Sequence, residues 1–372
     1  MGLNAVSHVA GKNVNLPILG NVLIKAEEKS LRLVSTNLEI AIMCIVRGKV
    51  EEVGEFTVPS KLFSDYVSLL PKERVDASQE GNAVSLACGA FQTKLHGIPA
   101  SEFPLIPTIE AKDRFSVGVE DVRKAIGQVL YAVAPNESRP EISGVLFKFA
   151  PKSDGTTTLT LAATDSYRLA ERSIKVGAGS TAIKEPVSII VPSRTVAELV
   201  RILGIFKDAP DAPKDISIQI GDNQVLFAHE NVEIISRTIE GKYPDYRSLV
   251  PDKHETEVTL DRNELARAVR TTSLFSKSGL NDIQLKFAAA NISLSAVNSQ
   301  TGENAVTLDG KVTGKDNAVT VNFKYFLDGV NNVETSDVVI QMVDATSPCI
   351  IRSKHGDKVG DEYLYLVMPI RQ

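Results

Sequence analysis

The sequence has only three cysteines and five histidines, and neither set is arranged for thiol or metal chemistry. Cys44, Cys88 and Cys349 are odd in number, far apart, and set in apolar strand-like runs such as Ile42-Met43-Cys44-Ile45-Val46. They read as buried structural thiols of a reducing compartment, not as a disulfide framework. His8, His96, His229, His254 and His355 share no ligand spacing with one another or with the cysteines, so no metal is expected. Nucleophile elbow, phosphate loop and paired-carboxylate signatures are missing as well, and no cofactor is expected. Long apolar runs are absent, which argues against a membrane-spanning helix. The first residues, Met1-Gly2-Leu3-Asn4-Ala5-Val6, have no basic segment ahead of an apolar stretch, so no secretory signal is read and a cytoplasmic location is expected. Excess positive charge is lacking too. A net charge of −5 argues against a protein that grips nucleic acid over its whole surface, but it leaves room for DNA held topologically by a local basic lining.

What is present is ordered protein in quantity: 372 residues, 43% hydrophobic and 23% charged, enough for two or three domains with their own cores. One unit occurs three times. Its strand-to-helix opening is read at Phe115 to Val119 leading into a helix from Asp121 to Ala134, and at Glu257 to Leu260 leading into Arg262 to Ser273, where Asp261 and Glu264 form a capping pattern. An apolar strand, a turn and an alternating strand follow: Leu23-Ile24 then Leu31-Arg32-Leu33, Leu146-Phe147 then Leu159-Thr160-Leu161, and Leu285-Lys286-Phe287 then Ile292-Ser293-Leu294. Period-two alternation of this kind predicts half-buried antiparallel sheet. These strands end at Ser35-Thr36-Asn37, Ala163-Thr164-Asp165 and Ala296-Val297-Asn298. A second strand-to-helix step opens the second half of each unit, at Phe56 to Lys61, Ile189 to Arg194 and Val319 to Lys324. Leu62, Tyr66, Leu69 and Leu70, and Val196, Leu199, Val200 and Leu203, are spaced as core faces of the helices that follow, while Arg194, Glu198 and Arg201 fall on an opposite, open face. Proline-containing exits at Ile98 to Pro104 and Glu240 to Tyr246 place boundaries near 110 and 252. The expected fold class is α+β: three similar domains, 1–110, 111–251 and 252–372, each with two helices on antiparallel sheet.

Ala163-Thr164-Asp165-Ser166-Tyr167-Arg168-Leu169-Ala170, Gly241-Lys242-Tyr243-Pro244-Asp245-Tyr246-Arg247 and the terminal Val367-Met368-Pro369-Ile370-Arg371 together resemble the beta subunit of the bacterial replicative polymerase, the sliding clamp family. Leu16 to Asn21 and Arg139 to Phe147 add to the resemblance, which runs in order along nearly the whole chain. It begins at about Leu3, so the family's first strand is expected to be missing from the first domain. The resemblance implies a processivity factor that is not an enzyme, a head-to-tail homodimer whose six domains close a ring around duplex DNA. It also implies docking of polymerase, clamp loader and repair proteins through short peptide motifs in a cleft between the second and third domains. The matching cleft positions are Ile142, Thr164, Ser166, Tyr167, Arg168, Leu169, Pro244, Ser248, Leu249, Leu366, Met368, Pro369, Ile370 and Arg371. A strand-end turn for Thr164 to Leu169 and a frayed tail for Met368 to Gln372 are the plain alternatives. DNA-facing candidates are Lys12, Asn13, Lys61, Arg123, Lys124, Arg139, Arg194, Arg201, Arg262, Arg267, Arg270 and Lys324, each otherwise a solvated surface charge. Leu95, Leu274 and Phe275 match the dimer contact, with ordinary core packing as the alternative. Two other classes remain for comparison: an enzyme built on Asp165, Tyr167 and Arg168, with His229, and a repeat scaffold that binds protein alone.

Overall fold

The computed structural model describes residues 1–11, 16–135, 138–207, 213–289 and 291–371. Among them, antiparallel strands alternate with six α-helices: α1 (Gly2–Ser7), α2 (Ser60–Leu69), α3 (Val119–Gly127), α4 (Ser193–Ile205), α5 (Arg262–Ser273) and α6 (Phe323–Asn331). None of the described helices is long and apolar enough to cross a membrane.

The threefold repeat is visible in the strand pairing. Asn21–Glu27 pairs with Ser30–Thr36, Gly144–Pro151 with Thr157–Thr164, and Asp282–Ala288 with Asn291–Asn298. On its other side each first strand pairs with the strand that runs into a helix: Gly54–Pro59, Val187–Pro192 and Asn317–Asn322. Two copies enter the first strand alike. Leu16 (φ −136°, ψ 77°) and Arg139 (φ −129°, ψ 82°) each precede a proline that starts a 3-10 turn. Proline bars helical backbone from the residue before it, which fixes that entry.

The helices follow their local signals unevenly. Asp261 caps α5 as expected, its Oδ1 accepting from the Glu264 amide at 2.8 Å. In α4, Val196, Leu199 and Leu203 are buried. α3 stops at Gly127, short of the expected Ala134, and a 3-10 turn over Leu130–Ala132 follows. Glycine is the weakest helix former after proline, and Val129 leaves the helical region at φ −124°. α2 buries Phe63, while Leu62 and Leu69 are 55% and 83% exposed. Phe63, Val67 and Leu70 form a second apolar stripe one residue along from the expected one, and periodicity alone cannot choose between the two.

The chain packs as two compact units. The first comprises Met1–Glu120, Val176–Ala182 and Arg194–Thr238, and holds a nine-stranded and a three-stranded sheet. In its larger sheet Ile40–Arg47, from the first copy, pairs with Val232–Arg237, from the second. The second unit comprises Asp121–Lys175, Ile183–Ser193 and Ile239–Gln372, and holds a nine-stranded and a four-stranded sheet. There Arg168–Lys175, from the second copy, pairs with Lys358–Val367, from the third. Sheet is thus continuous across each junction between copies, and compactness divides the middle copy.

Two of the edge strands correspond to strands that pair across the junctions elsewhere in the chain. Among the described residues Phe91–His96 pairs only with Ala83–Cys88, and Gly302–Leu308 only with Asn291–Asn298. Asp76–Glu80, exposed throughout, likewise has one neighbour, whereas its counterparts Asp215–Ile220 and Asp337–Met342 are covered by Asp113–Gly118 and Thr256–Asp261. The cysteines are free and buried, and burial pushes the Cys44 and Cys349 thiols up to about 11 and about 12.

Candidate functional site

In the second unit, alternation along Arg168–Lys175 and Lys358–Val367 sends Leu169, Leu364 and Leu366 to one face of the sheet. Leu169 faces Leu366, which in turn faces Ile350. With Ile142, Leu146, Ala162 and Ile190 these residues form a buried apolar floor, against which Met368 and Val250 pack. Tyr243 and Tyr246 close one side of it, 6.2 Å apart and edge to face. Tyr246 Oη donates to Glu171 Oε2 at 2.5 Å, and Arg247 donates to Glu171 Oε1 at 2.5 Å. Burial first, then the Glu171 charge, pushes the Tyr246 hydroxyl far above the usual tyrosine range, so it stays a donor. This clamp fixes the 3-10 turn Tyr246–Leu249 beside the floor. Above the floor Tyr167 and Leu249 remain 64% and 50% exposed, a high cost for large apolar groups that nothing covers.

The turn that presents Tyr167 is over-determined. Thr164 Oγ1 accepts from the Ser166 amide at 3.1 Å and donates to the Arg168 carbonyl at 2.6 Å, while Asp165 Oδ1 accepts from the Tyr167 and Arg168 amides at 2.9 and 3.0 Å. These bonds hold Ser166 at φ 78°, a left-handed conformation that serine rarely adopts. The terminal segment is strapped to the same place: the Met368 amide donates to the Tyr167 carbonyl and the Ile370 amide to the Thr320 carbonyl, both at 2.8 Å. Met368, Pro369 and Ile370 are each half-buried, which is not the state of a frayed tail. Pro244 is half-buried; Ser248, which donates to the Asp245 carbonyl at 2.7 Å, and Arg371 are exposed.

Arg168 lies one residue from Leu169 and therefore points to the opposite face. Its Nε donates to Asp165 at 2.9 Å, one terminal nitrogen binds Asp328 of α6, and the other reaches the Tyr131 carbonyl at 2.7 Å, with the Tyr325 ring 4.5 Å beneath the guanidinium. It holds the turn and is not open to the floor. Arg139, expected among DNA-facing cations, instead donates to Ser166 Oγ and Glu141 at 3.1 Å each, beside the turn. Glu171 and Ile350 are not among the residues the sequence points to, and Tyr243 and Tyr246 stand there only within the Gly241 to Arg247 motif, not as cleft positions. Glu171 lies two residues beyond Leu169, so strand alternation was the available signal.

Of the other basic positions, Lys12 and Asn13 lie outside the described residues. Lys61 on α2, Lys124 on α3, Arg194 on α4, Arg267 and Arg270 on α5 and Lys324 on α6 are exposed, so each helix from α2 to α6 carries at least one outward cation. Lys124 is 3.8 Å from Glu334 and Arg270 3.3 Å from Asn331 Oδ1. Arg123 is half-buried, and Arg262 donates to the Val333 carbonyl at 2.7 Å. Arg201 is not on an open face. It donates to the Asn4 and Ala5 carbonyls of α1 at 3.1 and 2.7 Å and to Glu198 at 2.8 Å, and Glu198, 6% exposed, also binds His8. A basic side chain on helix-terminal carbonyls is favourable, and α1 covers the face that the sequence left open. Leu274 is 75% exposed and Phe275 half-buried. Leu95 is 4% exposed within its own sheet, and Phe91, on the same face of that strand and 52% exposed, is the more available apolar group.

The chain matches the DNA polymerase III beta subunit family three times: its N-terminal domain over residues 2–107, its central domain over 116–245 and its C-terminal domain over 247–371. It is 30% identical to the beta sliding clamp of Vibrio cholerae over 371 residues, covering 99% of this chain and 96% of that protein. With the beta sliding clamp of Staphylococcus aureus it is 28% identical over 380 residues, with the same coverages of 99% and 96%. A crystal structure of the sliding clamp from Pseudomonas aeruginosa bound to griselimycin superposes with a TM-score of 0.90 at 26% identity, covering 100% of this chain and 96% of that one.

Proposed function

This chain belongs to the DNA polymerase III beta subunit family, the beta sliding clamps, and from that premise we propose that it is a processivity factor without catalysis of its own, a homodimeric ring that tethers partners to duplex DNA. It is built of three clamp domains, proposed at 1–110, 111–251 and 252–372. The observation that carries the ring is the repeated joint. Within the chain, the third strand of one copy pairs antiparallel with the last strand of the next, as Ile40–Arg47 with Val232–Arg237 and as Arg168–Lys175 with Lys358–Val367. The strands left at edges, Gly302–Leu308 and Phe91–His96, are the third strand of copy three and the last strand of copy one. Unpaired edges invite partners, and a head-to-tail contact between these two, made twice, closes on itself. Phe91, Leu274 and Phe275, with Leu95 behind them, supply the apolar component.

Exposed cations recurring on α2 to α6 suit phosphate contacts that carry no sequence information, which a net charge of −5 confines to a local lining. Apolar Tyr167, Leu249, Met368 and Ile370 around the Leu169–Leu366 floor suit short peptide motifs of polymerase, clamp loader and repair proteins, Met368 because a thioether chain repacks around different ligands. The setting is the cytoplasm. Loading the protein with its loader on nicked circular DNA and then cutting the circle tests the reading: the protein should slide off, and retention on the linear product refutes a topological hold. Removing Met368 to Gln372 should abolish peptide binding and leave the dimer intact; unchanged peptide affinity refutes the cleft.

A further inference from the structure

Beside the cleft lies a small, open pocket lined among others by Val250, Pro251, Lys253, His254, Ile350 and Arg352. Val250 and Ile350 also belong to the apolar cluster of the cleft, so pocket and cleft share a wall. Arg352 follows Ile350 by two residues and points to the same face. It stands opposite Leu364, whose other neighbour is Glu171. Glu171 stands two strand spacings away, about 10 Å between backbones, and both its oxygens are held by Tyr246 and Arg247. Among the described residues Arg352 therefore makes neither a hydrogen bond nor an ion pair, although it is half-buried. Lys253 is likewise unpaired, whereas His254 is 3.2 Å from Glu257. Burial holds the Arg352 guanidinium below the usual arginine range, with Arg247 adding repulsion against the pull of Glu171, Asp361 and Glu362, none of which bonds to it. A half-buried guanidinium with its donors unused is costly, and arginine is the side chain best shaped to take a carboxylate in a fork.

We infer that Arg352, assisted by Lys253, forms an acidic-residue subsite: a carboxylate side chain of the peptide docked in the cleft enters this pocket and pairs with the guanidinium. The inference rests on the cleft reading above and adds to it a specificity that apolar contacts cannot supply. The shared wall of Val250 and Ile350 lets one short peptide occupy both places.

The test uses fluorescein-labelled decapeptides with two adjacent large apolar residues to fill the apolar floor, carrying Asp or Asn at each flanking position in turn, titrated by anisotropy against the full chain and its Arg352→Gln variant. At one position the Asp version should bind the unmodified chain about tenfold more tightly than its Asn counterpart, the worth of one charge-assisted pair. That gain should shrink at high salt and vanish in Arg352→Gln, while the Asn versions bind both proteins alike. Asp and Asn versions binding the unmodified chain equally at every position overturns the subsite and leaves the cleft standing, whatever the variant does. A gain that survives Arg352→Gln overturns it as well. Binding of no peptide refutes the cleft and the subsite together.

Discussion

The repeated joint implies a register for the proposed contact between subunits, and that register can be broken and restored. Aligning the first strands on Asn21, Gly144 and Asp282 makes Thr36, Thr164 and Val297 equivalent; they face Ala41, Leu169 and Glu303, so Glu303 is the counterpart of Ala41 and Leu169. On the other edge Val232 follows a two-residue turn opposite His229, and Phe91 follows one opposite Cys88. The first joint pairs Val232 with Cys44 and Ile235 with Ala41. Carried over, it pairs Phe91 with Val306 and Lys94 with Glu303 of the partner subunit. The chemistry agrees with the register: apolar meets apolar on one face, and opposite charges meet on the other. Lys94→Glu turns an attraction into a repulsion. A cross-strand charge pair is worth ~0.5 kcal/mol, so loss and repulsion together cost about 1 kcal/mol per joint, about 2 kcal/mol for the two joints of a ring, and raise the dimer Kd about thirtyfold. Dilution followed by mass photometry at low salt reads this directly. Combining Lys94→Glu with Glu303→Lys should bring Kd back to within about threefold of the unmodified value. Lys94 also lies 3.3 Å from Glu80 in its own subunit, so Glu80→Gln serves as the control and should leave Kd unchanged. A Kd unmoved by Lys94→Glu, or not restored by the paired reversal, refutes the register.

Three further outcomes follow from the geometry. Arg168→Ala should lower stability to urea by about 3 kcal/mol, because it strips the Asp165 carboxylate, with side chains 12% and 8% exposed, of its partner; a change under about 1 kcal/mol would show the hub to be ornamental. With Cys44 at about 11 and Cys349 at about 12, fewer than about one in a thousand of either thiol is ionised at pH 8, so a thiol reagent should label them only after denaturation. Burial raises the Glu362 carboxyl, but bonds from Ser353 and His355 at 2.5 and 2.7 Å outweigh it and hold the pKa at about 2, below the usual 4.5. A carboxyl lowered on folding stabilises above its unfolded pKa and loses that contribution as pH falls to the folded one. Glu362→Gln should therefore flatten the fall in urea midpoint between about pH 4.5 and about pH 2, and an unchanged slope counts against the assignment.

What could be read from sequence was whatever a few neighbouring residues decide. Hairpins such as Leu146 to Leu161 announce themselves by alternation, and α5 by its Asp261 cap. Leu169 and Leu366 enter as cleft candidates only through resemblance, and Ile350 not at all, since the three come together only when distant strands pair. The joints were silent for a physical reason: Ile40–Arg47 and Val232–Arg237 are held by a backbone ladder, and main-chain hydrogen bonds leave no mark on residue type. Arg201 was misplaced for the same kind of reason, because a helix that covers a face from far away in sequence changes what its charges meet. The same silence bears on assembly. A joint specified by backbone pairing and a short run of facing side chains can be made between chains as readily as within one, provided the two edges are free. The repeat supplies three third strands and three last strands, pairs two of each within the chain, and leaves one of each over. Closure between two subunits thus needs no contact of a new kind, only the third instance of one the chain already makes twice.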